Sequence, residues 1–438
     1  MKIENLFDSH THFLATGEFL SGLNLKFLKS KQDLVNLPKK ATSFRGDWLV
    51  GFGWNENQFT DLTINLQSLD SVFLETPVLF SRVDGHSSWV NTAALKKLNL
   101  WKKNKKDFSA EEQMMLGFDA EGGLIGLLKE KFHIQALISL PSFSKLQKIE
   151  FLKMAIASYN QQGFTHIRDM GSTLDQFLLE TELEKAGALS LHVIHNFICE
   201  DKNDFERALK EAKICQTLES SLLKVAGLKF FYDGSLGSET ALLSIPYHGK
   251  AKGHQGLVNW ALSDLEDLMK KTWQEGFEVS VHTMGDEAAH QIVQAARRIS
   301  TSGVAGILNL EHVQVLRPET IQAMKSLHVV CHMQPCHWLS DQVWLEEKLG
   351  ALISHAFPWE SLRTAKVPLF FGSDSPIEPA ILSENLRALQ ESSRQKIKKF
   401  NADPLQFHVS TKWPLEKTFC QWDRQKVTEV YFQGKKII

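Results

Sequence analysis

An α/β barrel of eight strands is the fold this sequence predicts, and three observations predict it. From Gly163 onward, short apolar runs alternate with amphipathic stretches of helix length, the pattern of parallel strands joined by crossover helices. Together with the apolar run before Asp8 these strand-like runs number eight, the count of a (β/α)8 or TIM barrel. Histidine, lysine and aspartate recur at the ends of the runs, and such barrels place their chemistry at strand C-termini.

The first strand is read over residues 3–7 and leads into Asp8-Ser-His-Thr-His12. On a strand, residues two apart share a face, so His10 and His12 aim both imidazoles into one space. Two neutral imidazoles converging on a point suit a zinc-like cation, although a His-X-His pair alone is a weak signal. Residues from about 22 to 161 exceed what one βα unit needs. They hold two strand-like runs, 48–52 and 77–83, and a lysine-rich loop at Lys102, Lys103, Lys105 and Lys106, read as solvated surface. We read this stretch as a long insertion after the first strand that caps the barrel mouth, within one domain spanning residues 1–400.

The remaining strands are read over 164–169, 191–198, 228–233, 279–282, 307–312, 329–333 and 368–374, with helices such as 262–275 and 286–300 between them. The tail, 401–438, ends in an alternating pattern over 426–435, which predicts a strand outside the barrel and a reduced β-sandwich remnant at the termini. Tyr431-Phe432-Gln433-Gly434 resembles part of an engineered protease site, but it continues the strand pattern and is read as native.

Composition narrows the function. Of 438 residues, 43% are hydrophobic and 23% charged, which is ordinary for a globular protein. A formal net charge of −2 gives no basic field for nucleic acid and no polybasic tract for a membrane. No apolar run reaches the roughly 20 residues of a membrane helix. No signal-like apolar region follows Met1 and Lys2, and Cys199, Cys215, Cys331, Cys336 and Cys420 are scattered and odd in number. The expectation is a cytoplasmic protein with reduced thiols.

Four later strands add ligand-type residues to the histidine pair. Lys229 lies in the fourth strand, His282 ends the fifth, His312 the sixth and Asp374 the eighth. A barrel gathers these termini on one rim although they are remote in sequence. Singly, each histidine reads as a core residue and Asp374 as a helix cap; their joint placement, in order, points to a metal centre.

On these residues the sequence resembles the amidohydrolase superfamily, in particular its YtcJ-like branch that includes N-substituted formamide deformylases. The resemblance runs from Asp8 to about Glu378. Its motifs are Asp8-Ser-His-Thr-His12, Asp84-Gly-His-Ser-Ser-Trp-Val-Asn91, Lys229-Phe-Phe-Tyr-Asp-Gly-Ser-Leu-Gly-Ser238, Val281-His-Thr-Met-Gly-Asp-Glu-Ala288, Glu311-His-Val-Gln314, Met333-Gln-Pro335 and Gly372-Ser-Asp-Ser-Pro376. It implies two divalent cations, zinc by preference. His10, His12 and Asp374 would hold one and His282 and His312 the other, with carboxylated Lys229 bridging both. It further implies a hydroxide shared between the ions as nucleophile, and Asp374 as general acid and base toward a small amide, formamide or cyclic imide. His86, Trp89, Tyr232, Asp233, His337 and Trp338 are the candidates for the substrate pocket; aromatic lining with a few polar groups suits a small organic molecule. Glu311 is expected behind the ligands and Asp286 as a helix cap.

The related enzymes build a sandwich from both termini, whereas only seven residues precede Asp8 here. A homodimer could then cover the barrel flank, an expectation that a monomer in sedimentation at micromolar concentration would remove. Two further readings stay open: an inactive metal-binding barrel with a regulatory role, and a metal-assisted isomerase on the same scaffold. Retention of Asp374 favours the hydrolase.

Overall fold

Phe7–Thr11 opens a run of eight parallel strands whose order in the sheet is their order in the chain. The computed structural model describes residues 1–37, 44–248, 254–392, 414–423 and 426–438. Among these, the strands are Phe7–Thr11, His166–Ser172, His192–Ile198, Leu223–Phe231, Glu278–Thr283, Leu308–His312, Val329–Met333 and Leu369–Phe371. The seam between the first and eighth is drawn together by backbone bonds, Asp374 N to His10 O at 2.7 Å and His12 N to Ser375 O at 2.8 Å. Gly372 permits that approach: a Cβ there would stand 2.4 Å from His10 N.

The crossover helices bury one face each. Asp286–Thr301 buries Ala288, Ala289, Ile292, Val293, Ala296 and Ile299, the three-and-four spacing of an amphipathic helix. Leu262–Gln274 does the same with Leu265, Leu268, Met269 and Trp273. Phe7, Ile194 and Ala226, with Phe370 against them, form a small apolar cluster. The five cysteines are buried and none is bonded to another. No described helix is long and apolar enough to cross a membrane.

Three expectations are corrected. The run at 3–7 is two elements: Lys2–Glu4 leaves the barrel to pair with Phe419–Trp422, and the barrel strand starts at Phe7, so the histidine motif lies in the strand and not after it. Asp374 sits three residues past the eighth strand, which ends at Phe371. Asp286 is the first residue of its helix rather than the cap, which is Gly285; its carboxylate accepts Ser244 N at 3.0 Å instead.

Lys2–Glu4, Phe419–Trp422, Val427–Phe432 and Lys435–Lys436 make a four-stranded antiparallel sheet from both ends of the chain. Its last hairpin turns on Gln433 and Gly434, both at positive φ, the backbone that a two-residue primed turn requires. The expected boundary at residues 400 and 401 lies outside the described residues.

The chain divides into two compact units, one of Met1–Thr16 with Leu152–Ile438 and the other of Gly17–Phe151. The second is built on a seven-stranded sheet that includes Trp48–Trp54, Val78–Arg82, Ser87–Val90 and Leu124–Lys129. Leu49, Trp54, Leu69, Val78, Phe80 and Trp89 pack as its core.

In this unit His133 is buried, bonded through Nδ1 to Ser88 Oγ at 2.6 Å, and burial pushes its pKa down to about 4. The folded value lies below the unfolded one near 6.5, so stability is intact above about pH 6.5 and is lost as pH falls toward about 4. The loss expected is about 3 kcal/mol. Hydrogen exchange over Ser87–Val90 and Glu130–Ile138 should accelerate across that window, and His133→Gln should flatten most of the slope. An unchanged slope in the variant would assign it to other groups.

Candidate metal centre

Asp8 comes first in the motif but does not face the mouth. Its carboxylate accepts Ser373 N at 2.9 Å, Ser373 Oγ at 2.6 Å and His10 N at 3.3 Å, which ties the first strand to the segment carrying Asp374. Burial outweighs those bonds and pushes its pKa up to about 6.

His10, His312 and Asp374, all buried, present ligand atoms within 4.8 Å of one another. Asp374 Oδ1 lies 3.2 Å from His10 Nε2 and 3.2 Å from His12 Nε2. The rings of His10 and His312 are 4.6 Å apart at their centroids, and those of His282 and His312 are 4.5 Å apart. The tightest convergence therefore draws one histidine from each of the two ligand sets the resemblance implied. His282 lies beside them with Nε2 on the Gly234 carbonyl at 3.1 Å.

Two of the three triad residues have a backbone that regular strands forbid. Strand parity would send Glu311 and His312 to opposite faces, yet both serve this site, because His312 has φ +73°. Asp374 has φ +61°. A non-glycine residue in the left-handed region costs on the order of 1–3 kcal/mol and persists where function demands it.

Behind the ligands, Glu311 Oε2 meets His10 Nδ1 at 2.6 Å and its Oε1 accepts from Arg168 Nη1 at 2.8 Å. Arg168 also donates to Ser280 Oγ at 2.6 Å. The carboxylate accepts the Nδ1–H of His10 and so turns its Nε2 toward Asp374. Burial works to raise Glu311, but the Arg168 guanidinium prevails and holds it well below the usual carboxylate range. Burial likewise opposes ionised Asp374 and is overcome by His10, His12 and His312. His312 is held well below its ordinary value by burial and by its histidine neighbours, and its Nδ1 meets Gln334 Oε1 at 2.8 Å.

Lys229 is wholly buried; burial pushes its pKa down to about 8 against the pull of Glu311 and Asp374. Its Nζ, His10 Nε2 and Asp374 Oδ1 are buried polar atoms without a hydrogen bond among the described residues. Such atoms are costly unless something binds them. Imidazole nitrogen with carboxylate oxygen is a donor set that fits a zinc-like divalent cation.

The pocket candidates divide between the two units. His337 joins the site, its Nε2 3.5 Å from Asp374 Oδ2. Tyr232 hydrogen-bonds through its hydroxyl to Gln291 on the helix Asp286–Thr301. Asp233 is a backbone clamp, accepting Leu242 N, Met284 N and Gly285 N at 2.9 Å each. Trp338 is 2% exposed. Trp89 is a core residue of the second unit, its indole donating to Asn65 O at 3.0 Å, and His86 Nδ1 lies 3.0 Å from Glu130 Oε2 in that unit. Arg168, Gln314 and Gln334 were not singled out from sequence. The usable signal was Arg168 itself, a charge inside a strand whose position must be buried and hence paired.

A barrel with a buried histidine–aspartate cation site among its strand ends defines a metal-binding α/β-barrel enzyme. The profile described as Amidohydrolase family matches residues 6–387, and the chain belongs to that family of hydrolases acting on carbon–nitrogen bonds. It is 30% identical over 397 residues to YtcJ of Bacillus subtilis (strain 168), which carries an amidohydrolase name, aligning 89% of this chain with 73% of that one. N-substituted formamide deformylase of Arthrobacter pascens is 23% identical over 344 residues, 76% of this chain and 62% of its own length. In structure the chain resembles an uncharacterized metal-dependent hydrolase from Pyrococcus horikoshii OT3, with TM-score 0.68, 24% identity, and coverage of 92% of this chain and 77% of that one.

Proposed function

We propose that the chain hydrolyses a C–N bond of a small amide, formamide or cyclic imide, using two zinc-like cations held by His10, His12, His282, His312, Asp374 and a carboxylated Lys229. The observation that carries this reading is the triad of His10, His312 and Asp374, whose ligand atoms lie within 4.8 Å of one another, with buried polar atoms of His10, Asp374 and Lys229 lacking a hydrogen bond among the described residues. Bound divalent cations would supply Lewis acidity toward a carbonyl and lower the pKa of water toward neutrality.

The side chains supply the rest. Glu311 orients His10 and fixes its tautomer. Asp374, ionised among histidines, accepts a proton from the attacking water and returns it to the leaving nitrogen. Lys229 is poised as a neutral amine at mildly alkaline pH, and its Nζ adds carbon dioxide with loss of a proton. The resulting carbamate offers two anionic oxygens where an ammonium offers a cation no lone pair. The name of the Arthrobacter relative favours a formamide among the substrates.

Elemental analysis of protein produced with zinc and bicarbonate should find close to two ions per chain, and a panel of amides, formamides, imides and lactones should include substrates. Metal-replete protein that turns over none of them would favour a barrel that binds without catalysing. Lys229→Gln is expected to hold no more than one ion and to lose the carbamate carbon signal that labelled bicarbonate gives in carbon-13 NMR. Two ions on that variant would remove the bridging role.

A further inference from the structure

We propose that Gln314 and His337 form a positioning pair that fixes an imidazole N–H against the second oxygen of Asp374. The role rests on reading Asp374 as the proton carrier. The two oxygens of Asp374 face different neighbours: Oδ1 is 3.2 Å from both His10 Nε2 and His12 Nε2, while Oδ2 is 3.5 Å from His337 Nε2 and 3.9 Å from His312 Nδ1.

His337 lies on Pro335–Asp341, the short helix that begins two residues after the seventh strand, and is buried. Its ring lies nearly parallel to that of His312, at 11° and 6.0 Å between centroids. The two rings nevertheless carry opposite instructions. Gln334 presents its oxygen to His312 Nδ1 at 2.8 Å, while its amide nitrogen is held by the His332 carbonyl at 3.3 Å. The His312 proton therefore sits on Nδ1 and its lone pair on Nε2, as a cation ligand needs. Gln314 instead presents its nitrogen to His337 Nδ1 at 2.9 Å. That puts the lone pair of His337 on Nδ1 and its proton on Nε2, the nitrogen turned to Asp374. Gln314 is buried, and its backbone carbonyl is held by Phe357 N at 2.6 Å. One imidazole is set to ligate and its stacked neighbour to donate. An N–H on that side would hold the carboxylate with Oδ1 turned toward His10 and His12.

The first test needs no substrate, so its failure is distinct from failure of the hydrolase reading. Nitrogen-15 NMR of histidine-labelled protein, with His337 assigned by comparison with His337→Gln, should show Nε2 protonated; a proton on Nδ1 overturns the pair. Gln314→Glu, whose carboxylate can only accept, should move that proton to Nδ1, and the wild-type spectrum decides if the variant does not fold. On an amide the enzyme turns over, His337→Leu should lower kcat about 10- to 100-fold with KM within about threefold and metal content unchanged. His337→Gln, whose side-chain N–H can reach the ε position, should recover most of the loss. Equal losses in both variants, or a loss confined to KM, would overturn the assignment.

Discussion

Asp374→Asn is expected to remain folded and to turn over amide at least about 10³-fold more slowly, in the range that general acid–base catalysis by one side chain contributes. The substitution is nearly isosteric. Asparagine also tolerates the left-handed backbone that Asp374 adopts at φ +61°, so the chain path has no reason to change. What changes is charge. The wild-type carboxylate stays ionised despite burial because His10, His12 and His312 surround it. The amide can neither take up a proton nor offer a cation an anionic oxygen. Steady-state kinetics with elemental analysis separate the two losses: an inactive variant that keeps its metal has lost the proton carrier, whereas one that loses metal has lost a ligand. Activity within about tenfold of wild type would place the base elsewhere.

The barrel was legible because its strands are buried on both faces and so read as continuous apolar runs, Val329–Met333 being recovered to the residue. The triad of His10, His312 and Asp374 was legible because a rim gathers strand ends whatever their separation in sequence. Parity failed at His312, where a positive φ turns the side chain against the alternation that sequence spacing assumes. Asp233 and Tyr232, candidates for the mouth because they follow Lys229, are engaged by loop amides and by an outer helix, and Asp233 Oδ1 also lies 3.8 Å from His282 Nε2. Trp89 could not be told from a pocket residue because a core and an apolar pocket select the same side chain. Arg168 announces by its place in a strand that it must be paired, but its partner Glu311 lies 143 positions away and nothing local names it.

Arg168→Met should be the more disruptive change to the fold. Glu311 is fully buried, with Arg168 Nη1 2.8 Å from one oxygen and His10 Nδ1 2.6 Å from the other. Methionine fills much of the volume but leaves that carboxylate without its counter-ion, a loss of about 3–5 kcal/mol for a broken buried pair. Ser280 Oγ, Ser9 O and Asn196 Oδ1 lose their guanidinium contacts as well. The buried acid then escapes its penalty by taking up a proton, which weakens its hold on His10, and cation affinity should fall about 10- to 100-fold. Denaturant melts and zinc titrations measure the two effects separately. Pairing the change with Glu311→Gln removes the stranded charge while keeping an oxygen for His10 Nδ1, so the double variant should regain much of the stability lost by Arg168→Met alone. If the two changes instead add, Arg168 and Glu311 act independently, and His10 is oriented by something other than this ion pair.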